Sequence, residues 1–158
     1  MVRTYAPCGE TPILKVFETR DHLSVMSGIT PAGQLATLTR IRALTGLDSV
    51  TFLRHLLWYF GCKLLVIWDG GSIHRANEVK NFLADGWARK IHMERFPAYA
   101  PELNPDEGVW RHLKHVELRN LCCTDFDHLS VEFHLALRRL RRRPDLIQSF
   151  FTGAGLYL

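Results

Sequence analysis

The sequence predicts an α/β domain, a mixed sheet flanked by helices, on three observations. Leu64 to Trp68 is an unbroken apolar run of strand length that ends in Asp69-Gly70-Gly71, the pattern of a parallel, central strand buried on both faces. A helical pattern and a second short strand follow it, giving strand, helix, strand. Upstream, two alternating segments flank Thr30-Pro31-Ala32-Gly33, which reads as a hairpin.

Taken in order, residues 1–20 show no period and are punctuated by Pro7, Gly9 and Pro12, so they are read as loop or edge structure. Leu23, Val25 and Ile29 alternate in the first hairpin strand, and Leu35 to Thr39 forms the second. Asp48 or Ser49 can cap a helix carrying Leu53, Leu56, Leu57 and Phe60 at helical spacing, which Gly61 stops. After the apolar strand, Ser72 is read as the cap of a second helix whose Ala76, Val79 and Leu83 share a face. Asp85-Gly86 then turns the chain into a strand around Ile91 to Arg95. A proline-rich loop leads to Asn104-Pro105-Asp106-Glu107, the start of a third helix running to about Leu118. A fourth spans about Asp125 to Arg143, where Pro144 ends it.

Composition bounds the class. The 158 residues are 47% hydrophobic and 23% charged, which suits a single packed domain and excludes a disordered chain. A net charge of +4 permits a polyanionic partner without requiring one. Arg138, Arg139, Arg141, Arg142 and Arg143 cluster near the C-terminus, either as the solvated face of a helix or as a phosphate-binding surface. Cys8, Cys62, Cys122 and Cys123 have neither metal-ligand nor disulfide-framework spacing, and no apolar stretch approaches a membrane span, so a cytosolic chain with reduced thiols is expected.

Two carboxylates stand where chemistry can be placed. Asp69 lies at the carboxyl end of a strand, where ligands collect in open α/β sheets. It can equally be the residue that starts a Gly-Gly turn. Glu107 can close a capping box with Asn104, or it can project from the first turn and share a divalent cation with Asp69, since carboxylates, water and phosphate are the usual Mg²⁺ ligands. His112-x-x-His115 can place two rings on one face, but no third zinc ligand is in view. Val109, Trp110 and Leu113 are most simply the packing face of the third helix.

Trp68-Asp69-Gly70-Gly71-Ser72-Ile73-His74 resembles the second-aspartate motif of mariner-superfamily DDE transposases, in the bacterial insertion-sequence (IS six-thirty) branch. Tyr99 through Trp110, Tyr-Ala-Pro-Glu-Leu-Asn-Pro-Asp-Glu-Gly-Val-Trp, resembles the glutamate motif of the same family. The likeness extends through Arg3-Thr4-Tyr5-Ala6-Pro7, His22-Leu23-Ser24-Val25, Leu113-Lys114 and Glu117-Leu118-Arg119-Asn120. The resemblance implies a ribonuclease H-like fold and DNA transposition by metal-dependent strand cleavage and strand transfer. It makes Asp69 and Glu107 the second and third members of an acidic catalytic triad that binds two Mg²⁺ or Mn²⁺ ions. It also implies DNA partners (transposon ends and target), a possible homodimer, and a place in the bacterial cytoplasm at the nucleoid. His74 and Lys114, with Arg138, Arg139 and Arg142, are the candidate nucleic-acid contacts.

One departure from the family pattern stands out. The strand bearing the family's first aspartate precedes the Arg-Thr-Tyr-Ala-Pro segment, and here that segment starts two residues after Met1. Residues 1–158 are therefore expected to be a partial catalytic domain that lacks its first central strand and the N-terminal helix-turn-helix. Glu18 and Asp21 flank the hairpin and do not stand in for the missing acid. Association with the missing N-terminal part is the alternative to a homodimer, and two other readings follow: a non-catalytic remnant that binds DNA or a full-length transposase, and a ribonuclease H-like nuclease acting on RNA–DNA hybrids.

Overall fold

A computed structural model describes residues 7–9, 22–97 and 100–157. The hairpin forms as β1 (Ser24–Ile29) and β2 (Leu35–Arg40), antiparallel, with Ser24 opposite Arg40 and Ile29 opposite Leu35. Gly33 takes φ +77° at the turn, and the Gly33 N–H donates to Thr30 O at 2.9 Å. The expectation for residues 1–20, the Arg3 to Pro7 part of the resemblance, Glu18, Asp21 and Tyr99 falls wholly or mostly outside the described residues.

Helix α1 (Gly46–Phe60) is capped at Thr45, three residues before Asp48 and four before Ser49, the expected caps. Asp48 is instead the return half of a capping box: its Oδ2 accepts from the Thr45 N–H and hydroxyl, both at 2.9 Å. Arg40 and Arg42 also donate to this carboxylate, at 3.0 and 2.7 Å, tying the end of β2 to the start of α1. Gly61, in the left-handed region at φ +64°, ends the helix as its sequence position predicts.

Strand β3 (Leu64–Trp68) pairs in parallel with β4 (Ile91–Arg95), Leu64 opposite Ile91 and Trp68 opposite Arg95. The expectation of burial on both faces is not met. Leu65 is 63% exposed and Ile67 49% exposed, because α1 and α2 cover only the face that carries Val66 and Trp68. Among the described residues the expected α/β architecture is formed by two small ladders, antiparallel β1–β2 and parallel β3–β4, flanked by helices.

Ser72 does not cap the second helix. It opens a single 3₁₀ turn, Ser72–His74, closed by the Arg75 N–H on Ser72 O, and α2 (Asn77–Ala84) starts afresh after Ala76 with no side-chain cap. Helix α3 (Asp106–His112) continues as one π-helical segment, Leu113–Glu117, before the chain turns. Asp125 caps α4 (Phe126–Arg141), its Oδ1 accepting from the His128 N–H at 2.8 Å. Pro144 ends α4 but also occupies the first turn of a further helix, α5 (Pro144–Gly153). That helix was not foreseen, although Leu146, Ile147, Phe150 and Phe151 recur at helical spacing.

Three apolar clusters hold these elements. Val109 and Leu113 join Phe133, Leu137, Leu140 and Ile147 against Leu35, seating α3, α4 and α5 on the hairpin. Val50, Leu53, Val79, Phe82 and Ile91 pack α1 and α2 against β4. Met26, Ala36, Phe52 and Leu56 fix α1 to the hairpin, so α1 bridges the two ladders. No helix among the described residues is long and apolar enough to cross a membrane.

Candidate active site

Asp69 follows the last residue of β3, where the strand leaves the ladder. Its Oδ1 accepts the Gly71 N–H at 2.8 Å, so the turn-starting role is real. The side chain is nevertheless 66% exposed, and its second oxygen is uncommitted among the described residues. A Cβ at Gly71 would stand 2.9 Å from Asp69 Oδ1 and 3.2 Å from His74 Cδ2, so any side chain there would displace the Asp69 carboxylate.

His74 is built into this corner. Its ring stacks on Trp68 with centroids 4.1 Å apart, Nε2 lies 3.5 Å from Asp69 Oδ1, and Nδ1 lies 3.5 Å from the hydroxyl of the fully buried Ser49. Burial holds the imidazole below its usual pKa against the opposing pull of Asp69, which favours the neutral ring at pH 7.

At the other motif, the capping box between Asn104 and Glu107 does not form. Asn104 Oδ1 accepts the Asp106 N–H at 3.1 Å, and the Glu107 N–H goes to the Asn104 carbonyl at 3.1 Å. The Glu107 side chain makes no hydrogen bond or ion pair among the described residues and is exposed. Gly108 lets α3 lie directly on α5, since a Cβ at that position would come within 2.6 Å of the Phe150 ring.

Between the two motifs sits Asp106, which sequence reasoning passed over. Its Oδ2 accepts from Ser27 Oγ at 2.6 Å and Trp110 Nε1 at 3.1 Å, while its buried Oδ1 has no partner. Burial pushes this carboxyl up to about 6; the hydrogen bonds from Ser27 and Trp110 oppose the rise, and the negative charges of Glu107 and Asp69 add to it. Both motif carboxylates therefore act electrostatically on the same buried group. The only signal in the sequence was the first acid of Asn-Pro-Asp-Glu.

Asp69 and Glu107 carry the hard oxygen donors that Mg²⁺ or Mn²⁺ takes, so their chemistry suits such an ion. Among the described residues, however, no group of three or more His, Cys, Asp or Glu side chains converges on one point. His112 and His115 are not brought together as a zinc pair: His112 Nε2 lies 3.4 Å from Glu117 across the π turn, and His115 is exposed. Of the proposed nucleic-acid contacts, Arg139 donates to Glu117 at 2.6 Å. Burial works to raise the Glu117 pKa, but Arg139 and His112 outweigh it and hold the acid low. Lys114, Arg138 and Arg142 are exposed, with no ion pair among the described residues.

The sequence matches the family described as DDE superfamily endonuclease over residues 2–130. No curated protein sequence matches it. The fold is similar to two solved structures, "Crystal structure of the Mos1 Strand Transfer Complex" (TM-score 0.57, 14% identity) and "Mos1 transposase paired-end complex with left transposon end" (0.56, 12%). A third is "Crystal structure of the Mos1 mariner paired end complex with Mn", at 0.56 and 14%. Each likeness covers 99% of this chain, which spans about half the length of those proteins, 50% of the first and 52% of the other two. At such low identity the shared feature is the fold, a ribonuclease H-like α/β domain. With the family match extending over most of its length, the chain belongs to the DDE superfamily of endonucleases.

Proposed function

We propose that this domain takes part in DNA transposition, cutting and rejoining DNA strands with divalent metal, as a member of the IS six-thirty branch. Asp69 and Glu107 are the acidic ligands in this reading, the second and third members of a three-acid set whose first aspartate is not identified among the described residues. The observation that carries it is the state of Glu107. A helix-capping role was open to it, yet Asn104 serves Asp106 and the Glu107 carboxylate is left exposed, while one carboxylate oxygen of Asp69 is likewise uncommitted among the described residues. The family match supports the reading, as do the similar Mos1 structures, a strand-transfer complex and paired-end complexes, one of them with Mn.

When bound, a pair of Mg²⁺ or Mn²⁺ ions would supply charge neutralisation and activation of water or a 3′-hydroxyl for in-line displacement at phosphorus. The chain's own residues set the stage. Asp69 is aimed by Gly71 and bordered by His74, and Glu107 is aimed by a helix whose first turn is pinned to β1 through Asp106 and Ser27. DNA is the expected partner, with a second copy or a further N-terminal part completing the assembly in the bacterial cytoplasm.

Mn²⁺ titration of the chain by calorimetry tests this. Binding weakened at least tenfold in both Asp69→Asn and Glu107→Gln is expected, and affinity unchanged in either variant overturns the assignment. A second reading, a non-catalytic remnant that binds DNA or a longer transposase, draws on the lack of a three-acid cluster among the described residues. It predicts DNA association without any Mn²⁺ site.

A further inference from the structure

Beside Asp69 the surface opens into a cavity of about 710 Å³, within the size range of small-ligand sites. Its floor is apolar, made by Val79 and Leu83 of α2 and by Met93 of β4, with the Trp68–His74 stack as one wall. Its rim is basic. Arg75 after the 3₁₀ turn, Lys80 on α2 and Arg95 at the end of β4 reach it from three separate elements, and none of the three makes an ion pair among the described residues. The acids on the rim are Asp69 and Glu94, and Glu94 is engaged by His92 at 2.8 Å.

A solvated face does not need three cations converging on an apolar hollow. A single nucleotide does: its base seeks an apolar or aromatic surface and its phosphates seek cations, the combination used wherever single strands are bound. A base pair inside a duplex offers no free face to such a floor. We propose that this cavity receives an unpaired nucleotide of the DNA strand next to the cleavage point, with the base on the Val79, Leu83 and Met93 floor and the flanking phosphates held by Arg75, Lys80 and Arg95. This rests on the transposase reading for the identity of the DNA. It adds a subsite that draws a melted or flapped strand past Asp69.

Fluorescence anisotropy with a labelled single-stranded oligonucleotide and a blunt duplex of the same sequence provides the test. The triple variant Arg75→Ala/Lys80→Ala/Arg95→Ala changes exposed side chains and leaves the core intact. Single-strand affinity is expected to fall at least tenfold, and the slope of log K against log salt to lose about two, near 0.7 for each phosphate contact. Blunt-duplex binding should change less than twofold. Single-strand binding should also quench a tryptophan signal that Trp68→Phe removes.

An unchanged single-strand affinity in the triple variant overturns the subsite, as does equal weakening of single strand and duplex, or no single-strand binding by the parent chain. The Mn²⁺ titration of Asp69→Asn and Glu107→Gln reads the transposase assignment separately. A lost subsite with an intact metal response, and the converse, are therefore distinguishable.

Discussion

Ser27 Oγ donates a 2.6 Å hydrogen bond to Asp106 Oδ2, joining residues 79 positions apart in sequence and fixing the first turn of α3 to β1. That turn carries Glu107, so a hairpin serine is part of what holds the glutamate in place.

Removing the hydroxyl has a defined cost. Ser27→Ala leaves a buried carboxylate with the Trp110 indole as its one donor, and hydrogen bonds to charged groups contribute about 1.5–3 kcal/mol. A loss of about 2 kcal/mol in urea unfolding, with a weaker Mn²⁺ response than the parent, is expected. Unchanged stability would mean that the contact is incidental.

Asp48 predicts the acid response. Arg42 is the largest influence holding its carboxyl below the usual range, with the Thr45 and Arg40 hydrogen bonds adding to it while burial opposes. The folded chain thus binds this proton less readily than the unfolded one. The stabilisation is present above the unfolded value of about 4 and is lost as pH falls below it. Asp48→Ala should cost about 2 kcal/mol at pH 7, combining a lost cap with two partly exposed ion pairs, and should flatten the fall in melting temperature between about pH 4 and pH 2. Melts across that range check both.

How legible was this in the sequence? The hairpin, α1 and the β3–α2–β4 order followed from local patterns of alternation, helical spacing and glycine stops, whereas Asp69 and Glu107 were assigned to catalysis only by the resemblance of the motifs around them. What escaped depended on tertiary context. Nothing local says that one face of β3 is left uncovered by the described residues, and Pro144 read as a terminator hid its equally good role as the first residue of α5. Asp106 looked like the lesser acid of a motif, since its burial against Ser27 comes from the hairpin 79 positions away. Likewise Arg75, Lys80 and Arg95 are isolated cations in sequence that only folding brings to one rim.

Gly108 makes a steric prediction. An added methyl would enter the Phe150 ring position at 2.6 Å, so α3 must lift from α5. Gly108→Ala should destabilise by about 1–3 kcal/mol despite alanine's better helix propensity. Chemical denaturation reads the sign directly, and stabilisation would contradict the close packing.

The arginine cluster divides by environment. Arg139 is occupied by Glu117, and Arg141 donates to Leu35 O and Thr37 Oγ1, whereas Arg138 and Arg142 face solvent. Arg138→Ala with Arg142→Ala should reduce the salt slope of duplex binding by about 1.8, at about 0.9 for each phosphate contact. Arg139→Ala should act on stability instead, by at most about 1 kcal/mol. Salt titrations of duplex affinity, with melts alongside, separate the two.

The central claim is that Asp69 and Glu107 serve one metal centre, and a double-mutant cycle on Mn²⁺ affinity tests it most directly. Asp69→Asn, Glu107→Gln and the double variant should each lose nearly the same affinity, the non-additivity of ligands that act on a shared ion. Additive losses, or an affinity indifferent to either carboxylate, would contradict the account.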